Sequence, residues 1–379
     1  MAGGLDHAGP SSGMLRRYRR YFAVAAFLLL ATPLVVGIVR PDSAASILKE
    51  GRRLTPIPRA PANREEWFAF PKEVDAYLQD HFGLRQAMIR TFEDTTRPLS
   101  FGNAIVLIGR GGRLFYLGDD AVLQSAGLIY RRPQVVGTAA LLARMNNWLT
   151  GRGIHFLVAV PPNAATTYRD FLPDWARNNG QRTEYDLLLD ELKTRRIDAI
   201  DLRPVLEAAR NGGPVFYLHD THWTYRGALA GYNAIVEADG HPDWRFDPKS
   251  VLGPPTIRPG GDLARMLDFA DRATETTEFL TLRATKPERL RTSANIYHDY
   301  TASDGRPGPT ILIIGDSFTE EFFRPMLMPH VGRIVWLHHR WCGFDWKTVD
   351  QFHPDEVWWM PTERYLLCNP GVTPANLPR

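Results

Sequence analysis

Cysteine is scarce in this sequence, and neither sign of charge dominates it. The 379 residues include two cysteines, Cys342 and Cys368, too few for a zinc site of their own or for a disulfide framework. The sequence allows two alternatives for these cysteines: a single disulfide between them, if the compartment is oxidising, or two unrelated thiols. Beyond residue 40 the chain carries 40 basic and 41 acidic residues, which argues against a nucleic-acid-binding protein. A hydrophobic content of 44% excludes a fully disordered chain.

Long hydrophobic runs are also missing, with one exception near the N-terminus. Tyr21–Val39 is a run of nineteen uncharged residues, long enough to cross a hydrocarbon core of roughly 30 Å. The basic cluster Met14–Arg20 precedes it, and such clusters stay on the cytoplasmic side. We therefore expect an uncleaved single-pass anchor in the inner (cytoplasmic) membrane and a periplasmic location for the rest of the chain. A cleaved signal peptide ending near Ser43–Ser46 is the alternative.

The remaining pattern predicts one large domain behind a linker. Apolar runs alternate with helical periodicity from about residue 134, which is typical of an α/β domain whose parallel sheet is covered on both faces. Residues 240–308 look irregular and polar, like an insertion. The predicted strands are 154–160, 197–202, 310–314, 333–337 and 356–360. The predicted segments are a cytoplasmic basic tail (1–20), the transmembrane anchor (21–39), the linker (40–70), the domain (71–370) and a C-terminal tail (371–379).

The sharpest chemical signal is the run from Ile311 to Phe318, in which an apolar strand leads into Gly-Asp-Ser and then a helix. Ligands of parallel sheets bind beyond the carboxyl ends of the strands. At the start of a helix, backbone N–H groups favour negative charge, which suits a serine nucleophile beside an oxyanion hole. The alternative is that Ser317 is only a helix N-cap.

A second signal is the segment Asp220-Thr221-His222. In an extended segment, residues two apart point the same way, so Asp220 could orient His222, and His222 could accept the proton of a serine. Taken alone, a loop aspartate and a packed histidine would explain the pattern as well. His219 is a rival base that points to the opposite side.

Together these motifs resemble the SGNH-hydrolase-like domain of the alginate O-acetylation proteins AlgJ and AlgX. In ordinary GDSL enzymes the serine precedes D-x-x-H, whereas here Asp220 and His222 precede Ser317 by about 95 residues, an order typical of the AlgJ/AlgX group. The similarity covers roughly residues 70–370. The supporting segments are Tyr77–Arg85, Val106–Tyr116, Val160–Asn163 with Tyr168 and Leu172-Pro173, Gly261–Leu263 and Glu363–Tyr365.

The resemblance implies an SGNH-hydrolase-like three-layer fold with Ser317 as nucleophile, His222 as general base and Asp220 as its orienting partner. The backbone N–H of Ser317 would contribute to the oxyanion hole, while no segment matches the separate Gly and Asn blocks of ordinary SGNH enzymes. The family often has a lysine soon after the Pro-Pro pair, where this chain has Asn163, which suggests a less anionic substrate. The layout of an anchor plus one catalytic domain is closer to AlgJ than to AlgX.

The implied function is O-acetylation of an exported polysaccharide through an acetyl-serine. No bound cofactor is expected, since the acetyl group would come indirectly from acetyl-CoA through a membrane-bound O-acyltransferase partner. A carbohydrate acetylesterase and a non-catalytic polysaccharide-binding subunit are the alternatives. Tyr168, Arg340 and Trp341 are candidates for a sugar-binding cleft. No metal site is expected, because His338-His339 lacks a third ligand at metal spacing.

Overall fold

The computed structural model describes residues 20–28, 32, 36, 57–61, 63–80, 105–290 and 298–369. The chain divides into two compact units, Met1–Leu99 and Ser100–Arg379. In the first unit, residues 20–28 are helical and helix α1 runs over Arg64–Asp80. Within the described parts of the chain, no helix combines the length and the apolar character needed to cross a membrane. The anchor expected over residues 21–39 lies partly outside the described residues and stays a prediction.

The second unit contains the α/β domain. Its strands are β1 (Val106–Ile108), β2 (Leu114–Tyr116), β3 (His155–Ala159), β4 (Asp198–Ile200), β5 (Thr256–Pro259), β6 (Thr274–Thr277), β7 (Glu288–Arg289), β8 (Tyr300–Ala302), β9 (Thr310–Gly315), β10 (Arg333–His338) and β11 (Glu356–Met360). Its α-helices are α2 (Ala121–Ser125), α3 (Arg132–Thr150), α4 (Ala164–Thr167), α5 (Glu184–Thr194), α6 (Arg203–Ala209), α7 (Tyr225–Ala238), α8 (Pro248–Val251), α9 (Asp262–Met266), α10 (Ser317–Glu320), α11 (Arg324–Leu327) and α12 (Lys347–Phe352).

The central sheet has the order β4-β3-β11-β9-β10-β8-β7. The first five strands are parallel, as expected, whereas β8 is antiparallel to β10 and β7 is antiparallel to β8. The sheet is therefore mixed, and the expectation of a purely parallel sheet is wrong at this edge. It is also wrong that residues 240–308 are only irregular, because this segment supplies β7, β8 and the separate β5–β6 hairpin. These strands are two to four residues long, too short to show a period in the sequence.

Two hydrophobic cores cover the two faces of the sheet. In β9, Ile311 and Ile313 pack with α6 and α7 on one face, and Leu312 and Ile314 pack with α3 and α5 on the other. This double burial explains why β9 is a continuous apolar run. The result is the expected three-layer arrangement, in which the carboxyl ends of β3, β11, β9 and β10 meet at one edge of the sheet.

Candidate active site

Ser317 lies directly beyond β9, as the first residue of α10. The N-cap of this helix is Asp316 and not Ser317. The buried Asp316 carboxylate accepts one hydrogen bond from Phe318 N (3.0 Å) and another from Thr362 N (2.7 Å). Burial alone would raise the pKa of Asp316, but the nearby charge of Arg364 and the Thr362 hydrogen bond hold this pKa below its usual value. Asp316 thus fixes the turn, and the Ser317 hydroxyl is free for chemistry.

The structure brings Ser317, His222 and Asp220 together. His222 Nε2 lies 2.8 Å from Ser317 Oγ, and His222 Nδ1 lies 2.6 Å from Asp220 Oδ1. The sequence argument placed Asp220 and His222 on one side of an extended segment, but the segment is a bend. They meet because His222 N donates a hydrogen bond to Asp220 Oδ1 (3.0 Å) two residues back, a local turn that aspartate favours.

Asp220 is held from its other oxygen by Arg258, which sequence reasoning did not single out, and by the backbone of Asp262. Arg258 Nη2 in β5 lies 2.9 Å from Asp220 Oδ2, and Asp262 N lies 3.3 Å from the same atom. Burial tends to raise the pKa of Asp220, but hydrogen bonds from His222 and the charge of Arg258 hold this pKa well below its usual range. Asp220 is therefore a permanent carboxylate that can stabilise a protonated His222.

The segment Gly261–Leu263, noticed only as weak similarity, has a steric role here. A Cβ on Gly261 would lie 2.3 Å from the Asp220 carboxylate, so a side chain at this position would displace it. The next residue, Asp262, accepts hydrogen bonds from Thr221 N (2.8 Å) and Thr221 Oγ1 (2.6 Å). These contacts lock the loop between Asp220 and His222.

The rival base His219 does not share this arrangement. Its ring packs against Phe269, with 5.8 Å between the ring centroids, and burial lowers its pKa. The His222 ring, in contrast, lies beside Phe318 and Phe322 at centroid distances of 5.3 and 6.4 Å. These apolar neighbours limit how far the imidazole can turn away from Ser317.

The three residues expected in a sugar cleft occupy different environments. Tyr168 is buried in the core, where Val215 N donates to its hydroxyl (3.1 Å). The Arg340 guanidinium is ion-paired with the buried Asp299. Trp341 is half-buried, and its ring centroid lies 5.4 Å from that of Tyr365.

The turn that carries Trp341 is unusual. Arg340, Trp341 and Cys342 have φ values of 48°, 48° and 72°, the left-handed region that non-glycine residues rarely adopt. Cys342 is bridged to Cys368, which decides between the two expectations for these cysteines in favour of a disulfide.

Arg364, in the segment Glu363–Tyr365 that supports the resemblance, is a charged neighbour of the site. Its guanidinium carbon lies 5.2 Å from the Phe318 ring and 5.6 Å from the Tyr116 ring. It lines a small cleft together with Asp220 and Thr221. The preceding residue, Glu363, is fully buried and accepts hydrogen bonds from Asn163 N and Thr166 Oγ1, which fix the backbone of this turn.

Two groups in the described residues have the composition and spacing of metal ligands: Asp220, His222 and Asp262, and, separately, His155, Asp239 and Glu356. In the first group both ring nitrogens of His222 are already engaged, one by Asp220 and the other by Ser317. This geometry is that of a nucleophile, a base and an orienting acid, so we assign no metal there.

The family model for the SGNH hydrolase-like domain of acetyltransferase AlgX matches residues 106–366, which include all three residues of this constellation. The chain belongs to that family. This match confirms the resemblance inferred from the motifs. It also confirms that the family consists of acetyltransferases of SGNH type.

The chain is also similar to individual proteins. The probable alginate O-acetylase AlgJ of Pseudomonas putida is 27% identical over 137 residues, 36% of this chain and 34% of that protein. The match thus spans about a third of this curated relative. The solved O-acetyltransferase domain of Pseudomonas putida AlgJ is 20% identical, with 72% of this chain and 95% of that chain covered and a TM-score of 0.47. A DHHW family protein from Eubacterium siraeum is 13% identical, with 68% and 90% covered and a TM-score of 0.49.

Proposed function

We propose that the protein is a membrane-anchored periplasmic O-acetyltransferase that modifies an exported polysaccharide through an acetyl-serine. The observation that carries this proposal is the unbroken chain of hydrogen bonds from Ser317 Oγ through His222 to Asp220. Membership of an acetyltransferase family supports the choice of acetyl as the group transferred.

In the first half-reaction, His222 Nε2 accepts the Ser317 hydroxyl proton while Ser317 Oγ attacks the carbonyl carbon of the donor acetyl ester. Asp220 stabilises the resulting imidazolium, and the backbone N–H of Ser317 faces the developing oxyanion. The tetrahedral intermediate collapses, the donor oxygen leaves with the proton from His222, and an acetyl-serine remains. In the second half-reaction, a sugar hydroxyl gives its proton to His222 and attacks the acetyl-serine carbonyl. The second tetrahedral intermediate then expels Ser317 Oγ, which takes the proton back from His222, and the acetyl ester remains on the sugar.

The cellular setting in this proposal rests on two features. The disulfide between Cys342 and Cys368 is of a kind that persists in oxidising compartments, which favours export. The uncharged run Tyr21–Val39 behind a basic cluster favours a retained anchor. Acetyl-CoA is cytoplasmic, so we propose that a membrane-bound O-acyltransferase delivers the acetyl group. Trp341, half-buried and presented by a strained turn, is our candidate for contact with the sugar.

The test is acylation of the full chain with an activated acetyl ester. We expect a mass gain of one acetyl group on the peptide that contains Ser317, and no gain in Ser317→Ala. Ser303→Ala is the matched control, because Ser303 is exposed at the opposite end of the sheet. Its hydroxyl donates a hydrogen bond to Gly332 O there. Absence of label in folded protein would leave only the non-catalytic binding role.

Discharge of the acetyl-serine then separates transfer from hydrolysis. For a transferase we expect slow discharge in water and fast discharge on addition of an oligosaccharide acceptor. Fast discharge by water, unchanged by any acceptor, would instead establish the acetylesterase.

A further inference from the structure

The edge of the sheet opposite Ser317 carries a second cluster of titratable side chains. His155 and Glu356 are the first residues of the parallel strands β3 and β11, and Asp239 ends helix α7. One ligand atom from each of these three side chains lies within 4.8 Å of the other two. His241 joins the cluster, because its Nε2 lies 2.7 Å from Glu356 Oε1. The proposed acetyl transfer uses none of these residues.

The charges in this cluster are not balanced by arginine or lysine. Neither Asp239 nor Glu356 forms a salt bridge with such a side chain within the described ranges, and each has a histidine as its ionic partner. The Asp239 side chain is fully buried. Two carboxylates this close, out of water, repel each other unless a proton or a cation lies between them.

One contact in the cluster has a short distance without hydrogen-bond geometry. His155 Nδ1 lies 2.7 Å from Asp239 Oδ1, yet this buried oxygen accepts no hydrogen bond. A divalent cation would compensate the charge of this buried oxygen more completely than the present contact does.

The surroundings match those that orient metal ligands in proteins. The other ring nitrogen of His155, Nε2, lies 3.2 Å from Asp198 Oδ2, which is the outer carboxylate contact typical of metal-bound histidine. Trp358 Nε1 donates to Asp239 Oδ2 (2.8 Å), so the second oxygen of that carboxylate is also held. The His241 ring stacks on Trp244, with 3.8 Å between centroids and an interplanar angle of 3°.

We propose that His155, Asp239 and Glu356 bind a divalent transition-metal ion, for which Zn²⁺ is the probe. One imidazole nitrogen and two carboxylate oxygens, with solvent in the fourth position, form a ligand set that Zn²⁺ accepts, at about 2.0–2.2 Å from each atom. His241 orients the Glu356 carboxylate from outside this set. Both histidines are half-exposed, so the ion has a path from solvent. The ion neutralises the two carboxylates and ties β3, β11 and the end of α7 together. Its role is structural, because the site lies at the far end of the strands from Ser317.

The experiment measures zinc content and thermal stability of the full chain. We expect one Zn²⁺ per chain to remain after dialysis, and a rise in Tm of roughly 5–10 °C at zinc concentrations about 100-fold above Kd. His155→Asn and Glu356→Gln should each weaken zinc binding at least tenfold and remove most of the rise. They are measured side by side, so that misfolding of one leaves the other to decide.

Two controls assign the ion to this cluster. His298→Asn removes an exposed histidine that also has a carboxylate partner, Glu320, and should leave zinc content unchanged. His222→Ala removes the other candidate group and should also retain one Zn²⁺. A folded wild-type chain without bound zinc would overturn the proposal and leave a proton shared between Asp239 and Glu356 as the explanation. Loss of zinc in His222→Ala, with retention in His155→Asn and Glu356→Gln, would overturn it as well.

Discussion

Arg258 and His222 contact different oxygens of the Asp220 carboxylate. Arg258 Nη2 lies 2.9 Å from Asp220 Oδ2, whereas His222 Nδ1 lies 2.6 Å from Asp220 Oδ1. The Arg258 guanidinium also lies over the Tyr217 ring, with its central carbon 3.9 Å from the centroid. The orientation of the proposed base therefore depends on an ion pair reached from a separate hairpin, and this dependence can be measured.

Arg258→Met should lower acetyl transfer by about 10- to 100-fold, because a charge-assisted hydrogen bond of roughly 1.5–3 kcal/mol is lost from Asp220. Removal of Arg258 also raises the pKa of Asp220, but the hydrogen bonds from His222 lower this pKa more strongly than Arg258 does. Asp220 therefore stays ionised in the variant, and the pH profile should fall in height and keep its position.

Rates of Ser317 acylation across pH test this expectation, with two reference variants. Arg258→Lys keeps the charge and should recover part of the loss. Arg245→Met removes an exposed ion pair with Glu237 and should have little effect. A profile of Arg258→Met that coincides with the wild type in height would contradict the role given to Arg258.

Replacement of each member of the proposed triad by alanine should lower acetyl transfer by at least about a thousandfold. Because the three side chains act as one unit, Ser317→Ala with His222→Ala should lose little more than Ser317→Ala alone. Single-turnover rates and circular dichroism are measured together, so that loss of activity is separated from loss of fold. Near-full activity in Asp220→Ala would show that another group orients His222.

Glu363 should make stability depend on pH. Burial raises the pKa of this carboxyl from 4.5 to about 7, although Thr166 and Asn163 donate hydrogen bonds that oppose the rise. The folded protein therefore holds a proton that the unfolded chain releases between these two values, and its contribution to stability falls as pH rises through this window. Glu363→Gln keeps an acceptor without the charge, so it should stabilise the protein by up to about 3 kcal/mol near pH 8 and by little near pH 4.

Chemical denaturation at several pH values measures this difference. Glu207→Gln is the matched control, because the Glu207 side chain is 56% exposed and pairs with Arg210 at the surface. Its free energy of unfolding should follow that of the wild type. If the free energy of unfolding of Glu363→Gln also follows that of the wild type from pH 5 to pH 8, the Glu363 carboxyl is ionised throughout this range. Burial would then raise the pKa of Glu363 less than expected.

The sequence was sufficient to find the proposed nucleophile and base but not what supports them. Ser317 could be found because an apolar strand buried on both faces, β9, leads directly into it. Arg258 could not, because β5 is four residues long and mostly exposed, so its sequence has no core-facing alternation. Asp220 and His222 were paired correctly on an argument from extended geometry, whereas a bend brings them together.

Burial and long-range contacts also could not be predicted from the sequence. Tyr168 and Trp341 are both aromatic residues near motifs, yet Tyr168 is 5% exposed and Trp341 is half-buried, a difference that depends on packing. The cluster of His155, Asp239 and Glu356 comes from three segments far apart in the chain. The sheet register pairs His155 with Glu356, and the end of α7 places Asp239 beside them. The sequence contains no short-range spacing of metal ligands that would predict such a site.

The bridge between Cys342 and Cys368 should stabilise the fold and hold Trp341 in place. The two cysteines are 26 residues apart, and closing a loop of that length stabilises a protein by about 3–4 kcal/mol through the unfolded chain. The double variant Cys342→Ala with Cys368→Ala should lose about that free energy of unfolding.

The same double variant should also release the left-handed turn over Arg340, Trp341 and Cys342, whose backbone conformation is costly without support. Acceptor-dependent discharge of the acetyl-serine should then slow, while acylation of Ser317 proceeds at its normal rate, because Ser317 is fixed by Asp316 and not by this turn. Thiol titration of protein unfolded without reductant provides the check on the bridge itself: two reactive thiols per chain would show that it does not form, and slowing of both half-reactions would show that the turn supports more than the acceptor side.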